Sequence, residues 1–241
     1  MYTDMSNTVY TVNCLNVQNM QILPIYDAHS TGTCFILAIL HIYMMQMSAD
    51  VVQNQILWCK QRYDMDLQNP RTIHFVDLET THLDPVHGEI IDICILTSKD
   101  WGKTLDNIYC TKIKPVHIET ADPASLNVNG YNESDWADAP VWADVVAEVS
   151  QILSDGIVCA HNVLFEMKWL THHCYRITHR HMCTQTLAYT FLPLRSPSLS
   201  AIRDYYKWSH DDAHTAYADA YDCYLFFVTC ITDPLPDVGV L

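Results

Sequence analysis

Two carboxylates in a β-rich run are the first residues of this sequence that could do chemistry. The run IHFVDLETT spans residues 73–81 and holds Asp77 and Glu79. Alternate residues of a strand point to the same face, so the two acids should project side by side. Two anions this close repel each other unless a cation lies between them, which makes them candidate ligands for a divalent metal ion. Solvated acids at an exposed strand end are the alternative interpretation.

Three more residues stand at places where a functional side chain could be held firmly. Glu166 lies on a predicted helix that follows a short apolar strand, and Asp219 lies one turn inside the last predicted helix. His214 precedes Asp219 by five residues, at the entrance to the same helix. An ordinary histidine at a helix start is the alternative interpretation of His214.

The elements that position these residues follow from the spacing of the apolar side chains. Strands are predicted over residues 71–78, 89–97, 107–113 and 157–160. Helices are predicted over residues 141–153, 163–172 and 215–229, with another beginning at Ser198. Three closely spaced strands, a helix, a strand and then mostly helices predict an α/β fold with a mixed sheet flanked by helices.

The segment before the first strand has a different character. Residues 1–33 are polar without strong periodicity, whereas residues 34–67 have the apolar spacing of helices and end near Pro70. We therefore predict an N-terminal, mainly helical appendage over residues 1–70, whose role is unknown. The main domain follows over residues 71–232, and the Pro-containing residues 233–241 form a loose tail.

Composition limits the possible partners. The chain has 241 residues, 49% of them apolar, which is enough for a sizeable core. Its formal net charge of −15 is unusual for a protein that wraps nucleic acid, because phosphate binding normally needs a basic surface. Any contact with nucleic acid should therefore be small, mediated by metal ions or assisted by another protein.

Cysteine spacing and hydropathy indicate the compartment. The ten cysteines include no C-x-x-C pair, and Cys94 lies inside an apolar run, so we predict reduced, buried thiols. The N-terminus does not have the layout of a signal peptide, and the apolar run 34–47 is too short to cross a bilayer. We expect a soluble cytoplasmic protein without membrane contact, in the host cytoplasm if a phage encodes it.

Taken in order, these motifs resemble those of the DEDD-type 3′–5′ exonucleases of the His subclass (DEDDh). This is the DnaQ-like and RNase T superfamily, with a ribonuclease H-like fold. Residues 75–81 (FVDLETT) resemble its first motif, residues 160–166 (AHNVLFE) its second, and His214 with Asp219 its third. The segments TQTLA at 184–188 and SLSAI at 198–202 support the resemblance, which covers roughly residues 72–230.

The resemblance implies a ribonuclease H-like mixed five-stranded sheet and a cofactor of two Mg²⁺ or Mn²⁺ ions, about 4 Å apart. Asp77 would bridge the ions, Glu79 and Asp219 would hold the ion on the nucleophile side, and Glu166 would act on the leaving-group side. His214 would be the general base, since its ordinary pKa of about 6.5 suits proton abstraction near neutral pH.

The same resemblance implies a set of contacts to the substrate. Thr80 matches the position whose backbone contacts the terminal sugar, and Leu83 matches the apolar residue that wedges against the terminal base. The full set of implied substrate-binding residues is Thr80, Thr81, Leu83, His161, Asn162 and Phe165.

Two residues depart from the family pattern. Glu166 stands where the family has Asp, and the extra methylene moves the carboxylate by about 1.3 Å, a displacement to which catalytic geometry can be sensitive. His82 stands where the family commonly has Gly, and it adds bulk beside the 3′ end of the substrate. Because of Glu166, the activity could be full, weakened or selective for Mn²⁺, and these three alternatives stay open.

A second cluster of possible metal ligands lies between His172 and Cys183. It comprises His172, His173, Cys174, His179, His181 and Cys183, from which zinc ligands could be drawn. The spacing matches no common zinc module, and whether this cluster binds zinc stays open.

The leading hypothesis is a metal-dependent 3′–5′ exonuclease that acts on single-stranded ends and releases nucleoside 5′-monophosphates. DNA is the first choice of substrate, in proofreading or DNA degradation, and an exoribonuclease or oligoribonuclease of the same fold is the alternative. A polymerase or other replication protein is the candidate partner, with residues 34–67 as its docking surface. A nucleic-acid-binding or scaffolding module weakened in catalysis by Glu166 is the hypothesis from another class.

Overall fold

The structure is a computed structural model, and it describes residues 71–209 and 215–232. The predicted appendage of residues 1–70, His214 and the predicted tail of residues 233–241 lie outside the described residues. The division of the chain at residues 70 and 232 therefore stays a prediction.

A mixed sheet forms the centre of the described region. Its strands are β1 (Ile73–Thr80), β2 (Ile90–Ser98), β3 (Asn107–Lys112), β4 (Ile157–Ala160) and β5 (His181–Cys183). Their spatial order is β3-β2-β1-β4-β5. The first three strands pair antiparallel as a meander, whereas β4 runs parallel to β1 and to β5. The predicted α/β fold with a mixed five-stranded sheet is confirmed.

Helices cover both faces of this sheet. They are α1 (Pro123–Val128), α2 (Glu133–Trp136), α3 (Trp142–Ile152), α4 (Val163–His173), α5 (Thr184–Phe191), α6 (Leu199–Tyr206) and α7 (Ala216–Thr232). Apolar side chains of α3 and α4 pack on one face, and those of α5, α6 and α7 pack on the other. The predicted cap of α6 is present, because the Ser198 hydroxyl accepts a hydrogen bond from the backbone N–H of Ala201.

The central strand β1 contributes to both cores, and this alternation sets the direction of its acids. Phe75 belongs to the core beneath α7, and Val76 belongs to the core beneath α3 and α4. Asp77 and Glu79 have the parity of Phe75, so they project toward the side of the sheet that α7 covers. β1 continues through Thr80, and its register with β2 is broken only between Glu79 and Thr80. Both acids therefore stand on a part of β1 that is paired with β2.

The prediction that the cysteines are reduced thiols is wrong for Cys94, which forms a disulfide with Cys110. The two residues lie directly opposite each other on β2 and β3, with their Cα atoms 4.1 Å apart. Cross-strand pairs bring side chains into contact, but the register that pairs them is not visible in cysteine spacing. Five other described cysteines are free: Cys159, Cys174, Cys183, Cys223 and Cys230.

Within residues 71–209 and 215–232, no helix combines the length and the apolar character that a membrane span requires.

Candidate metal centre

Three carboxylates meet where β1 passes beneath the first turns of α7. One oxygen from each of Asp77, Glu79 and Asp219 lies within 4.8 Å of the other two. β1 contributes two of them because i and i+2 share a face, and α7 contributes the third from its first turn. Among the described residues this is the single group of three or more acidic, histidine or cysteine side chains with the spacing of a metal site.

The electrostatics of this group are those of largely desolvated acids that lie close to one another. Desolvation raises the pKa of Asp77 well above its usual range, and the charges of Asp219, Glu166 and Glu79 raise it further. Desolvation also raises the pKa of Glu79 to about 8, together with the charges of Asp219 and Asp92. Carboxylates that resist ionisation because they face other carboxylates gain most from a bound cation.

Glu166 lies beside this group rather than inside it. Its side chain on α4 is only 4% exposed, and burial raises its pKa well above the usual range. Its Oε2 atom has no hydrogen-bond partner among the described residues. A buried carboxylate oxygen without a partner is costly and needs a cation, a water or a proton. With the charge that Glu166 exerts on Asp77, this donor set of four acids fits hard divalent cations such as Mg²⁺ or Mn²⁺.

Two residues that the sequence analysis did not single out complete the surroundings. Asp92 pairs with Glu79 across β1 and β2, and burial raises its pKa to about 6 although the backbone of Ala216 donates a hydrogen bond to it. Arg203 on α6 is buried and donates hydrogen bonds to Asp219 and Asp222. An acid inside the apolar run of β2 was the available signal for Asp92. No feature of the sequence pointed to Arg203, because the two acids that it contacts are distant in sequence.

The predicted general base, His214, directly precedes Thr215 in the sequence. His214 lies outside the described residues, so its role stays a prediction. The adjoining start of α7 is ordered by Thr215, whose hydroxyl accepts from the backbone N–H of Ala218 and whose carbonyl accepts from that of Asp219.

The two threonines after the acids shape the loop that follows β1. The Thr80 hydroxyl donates to the carbonyl of His82, and the Thr81 hydroxyl accepts from the backbone N–H of Glu89 at 2.8 Å. Both hydroxyls are thus engaged inside the protein, and their contacts with substrate stay predictions. Leu83, by contrast, is 71% exposed in this loop, as a residue that contacts a terminal base would need to be.

His82 fits into the loop without a left-handed backbone conformation. Among the described non-glycine residues, positive φ occurs only at Trp101, Asn162 and Lys207. Space for the His82 side chain comes from Gly88, where a Cβ atom would lie 2.6 Å from the Cβ of His82. The bulk that distinguishes His82 from the family pattern is therefore accommodated by a glycine across the loop.

The second-motif residues surround the start of α4. The Nε2 atom of His161 donates to the carbonyl of Pro197 at 2.8 Å, and Nδ1 lies 3.2 Å from the hydroxyl of Thr184. Burial lowers the pKa of His161 to about 4, so the ring is neutral near pH 7. Asn162 is exposed with a φ of 70°, and Phe165 is half-buried against Trp169. Both nitrogens of His161 are occupied internally, and its contact with substrate stays a prediction.

The histidines and cysteines between His172 and Cys183 form no metal site. No three of them bring ligand atoms together within the described part of the chain. His173 instead stacks on Trp169 with ring centroids 5.4 Å apart, and burial lowers its pKa. The described structure therefore does not support zinc binding by this cluster.

Comparison with known proteins identifies the family. The family model described as "Exonuclease" (RNase T) matches residues 75–227. The DNA polymerase III PolC-type of Thermotoga petrophila is 27% identical over 190 residues, which cover 76% of this chain and 13% of that relative. The aligned region is thus a small part of that much longer protein.

Solved structures agree with the fold. Exonuclease I of E. coli in complex with a dA16 oligonucleotide has a TM-score of 0.59 at 14% identity, covering 67% of this chain and 41% of that one. The zinc-bound form of the E. coli exonuclease I–single-stranded DNA complex has a TM-score of 0.58 at 14% identity, covering 66% and 40%. The predicted family is confirmed: this chain belongs to the RNase T exonuclease family.

Proposed function

We propose that this chain is a metal-dependent 3′–5′ exonuclease that hydrolyses the terminal phosphodiester bond of single-stranded nucleic acid. The observation that carries the proposal is the group formed by Asp77, Glu79 and Asp219, with the buried carboxylate of Glu166 beside it. Asp77 and Glu79 are buried beside further acids that raise their pKa, and such a group has no evident structural use, because each charge adds repulsion unless a cation is present.

In the proposed reaction, water attacks the terminal phosphorus in line and the 3′ oxygen of the preceding nucleotide leaves, which releases a nucleoside 5′-monophosphate. Two Mg²⁺ or Mn²⁺ ions supply the charge that stabilises the attacking and the leaving oxygens. Asp77, Glu79 and Asp219 would hold the ions, and Glu166 would act on the leaving-group side. His214 would accept the proton of the attacking water, and Leu83 would pack against the terminal base.

DNA is the proposed substrate, for two reasons. The related protein of Thermotoga petrophila is named a DNA polymerase, and exonuclease I, which shares the fold, is solved with a DNA oligonucleotide. The same relative's name makes a replicative polymerase the proposed partner. Because the chain carries a net charge of −15, we expect few phosphate contacts beyond the terminal nucleotides.

The test is degradation of end-labelled single-stranded DNA and RNA of one sequence, with Mg²⁺ or Mn²⁺ and with EDTA as a blank. We expect 3′-end shortening that needs the metal, runs faster on DNA, and disappears in Asp77→Ala. A matched control is Asp138→Ala, which removes an exposed acid outside the cluster. Faster degradation of RNA would favour the exoribonuclease hypothesis. A wild-type protein inert toward both substrates with both metals would favour the non-catalytic binding module.

A further inference from the structure

Arg203 is a buried cation at the back of the candidate metal centre. Its side chain is 2% exposed, and the guanidinium contacts two carboxylates of α7. Nη2 donates to Oδ1 of Asp219, and Nε donates to Oδ2 of Asp222. The two acids are three residues apart, so they stand on one face of α7 and can both meet one planar guanidinium from α6.

The burial of this ion pair is hard to explain by stability alone. Desolvation of two charges roughly cancels their attraction, and apolar residues of similar volume often replace a buried ion pair without loss of stability. The pair does, however, fix geometry, because an arginine fork holds a carboxylate in one orientation. Among Asp77, Glu79 and Asp219, only Asp219 comes from a helix rather than from β1, so its position depends on how α7 is held.

From these contacts we propose that Arg203 is a positioning residue for divalent-cation binding. Arg203 holds Oδ1 of Asp219 and leaves Oδ2 for the cation, while Asp222 anchors the other side of the guanidinium. Its positive charge also lies against Asp219, the acid whose charge acts on both Asp77 and Glu79. Partners behind a ligand orient it in this manner at metal sites. The inference rests on the proposed function only in taking Asp219 as a metal ligand.

The charge of Arg203 and its positioning of Asp219 should have opposite effects on the affinity for a divalent cation, and the two effects can therefore be tested separately. Removing a cation near an acidic cluster should by itself strengthen the binding of a divalent cation. Losing the orientation of Asp219 should weaken it. The double variant Arg203→Met/Asp222→Leu removes one positive and one negative charge together, so it leaves the net charge unchanged and isolates the positional effect. Arg203→Gln removes the positive charge alone, so charge and position predict opposite changes in affinity.

The experiment is a Mn²⁺ titration of the full chain followed by electron paramagnetic resonance of the free ion. Steady-state kinetics on a single-stranded DNA oligonucleotide and thermal unfolding in EDTA accompany it. We expect both variants to bind Mn²⁺ about 10- to 100-fold more weakly than wild type. kcat should fall by a similar factor, with little change in KM for the oligonucleotide. Lys103→Met, at an exposed lysine after β2, is the control and should bind Mn²⁺ like wild type.

The outcomes separate this inference from the proposed function. Unchanged or tighter Mn²⁺ binding by Arg203→Gln overturns the positioning role, and so does wild-type affinity in the double variant. Failure of the wild type itself to bind Mn²⁺ overturns it as well. If the wild type binds Mn²⁺ with the expected dependence on Arg203 and yet degrades no nucleic acid, the inference stands and the proposed exonuclease function fails. Should the double variant unfold in EDTA, Arg203→Gln decides the question.

Discussion

Replacing Glu79 by glutamine should make the metal-free protein more stable than wild type, by a margin that grows as the pH rises. Desolvation and the charges of Asp219 and Asp92 raise the pKa of Glu79 from 4.5 to about 8. In the unfolded chain the cluster is dispersed, so the side chain titrates near its ordinary value. Between these two pKa values the folded state holds a proton that the unfolded state has released. The stability of the folded state therefore falls as the pH increases through this window.

The magnitude follows from the size of the window. One unit of pKa difference corresponds to about 1.36 kcal/mol. Between pH 5.5 and pH 8, the raised pKa of Glu79 should cost the folded state on the order of 3 kcal/mol. Glu79→Gln has no titratable group at this position. Over the same pH range, its free energy of unfolding should therefore fall by about 3 kcal/mol less than that of wild type.

The assay is urea unfolding followed by circular dichroism at pH 5.5, 7 and 8, in EDTA and again with saturating Mn²⁺. In Mn²⁺ the order should reverse at pH 8, because wild type gains the binding free energy of the ion and the variant has lost a ligand. Glu133→Gln, which changes an exposed glutamate on α2, is the control and should follow wild type. Parallel pH dependences of wild type and Glu79→Gln in EDTA would refute the reasoning, because the folded state would then not raise the pKa of Glu79.

Three further predictions concern the acids, the loop and the substrate. Glu166→Gln should lower exonuclease activity about 10- to 100-fold while raising the urea midpoint in EDTA, and equal activity would exclude Glu166 from the site. Gly88→Ala should cost about 1–3 kcal/mol because its Cβ would meet that of His82. Adding His82→Gly should recover part of this, whereas additive costs would contradict the contact. Raising KCl from 50 to 200 mM should increase KM for single-stranded DNA less than about tenfold, since only one or two phosphates would be neutralised. A 100-fold increase would indicate a basic surface.

The sequence predicted the sheet and the principal helices because each has a clear apolar period and recognisable boundaries. It missed β5 and the helices α1, α2 and α5, which have between three and eight residues and carry too little periodicity. It placed Asp77 and Glu79 correctly on one face of β1, because that relation is local. Arg203 and the Cys94–Cys110 pair escaped it for a shared reason: both depend on register or packing between segments far apart in sequence.

The charge of the metal centre has a consequence for the order of binding. Asp77, Glu79 and Asp219 supply no positive charge, and Arg203 beside them is already engaged by two carboxylates, on a chain whose net charge is −15. A phosphodiester approaching the metal-free protein would therefore gain no attraction from these acids or from Arg203 at the proposed site of cleavage. In the proposed reaction, binding of divalent cations by the acids would therefore precede productive binding of the 3′ end. In its proposed positioning role, Arg203 would then serve the substrate indirectly, by preserving the arrangement of acids that binds these cations.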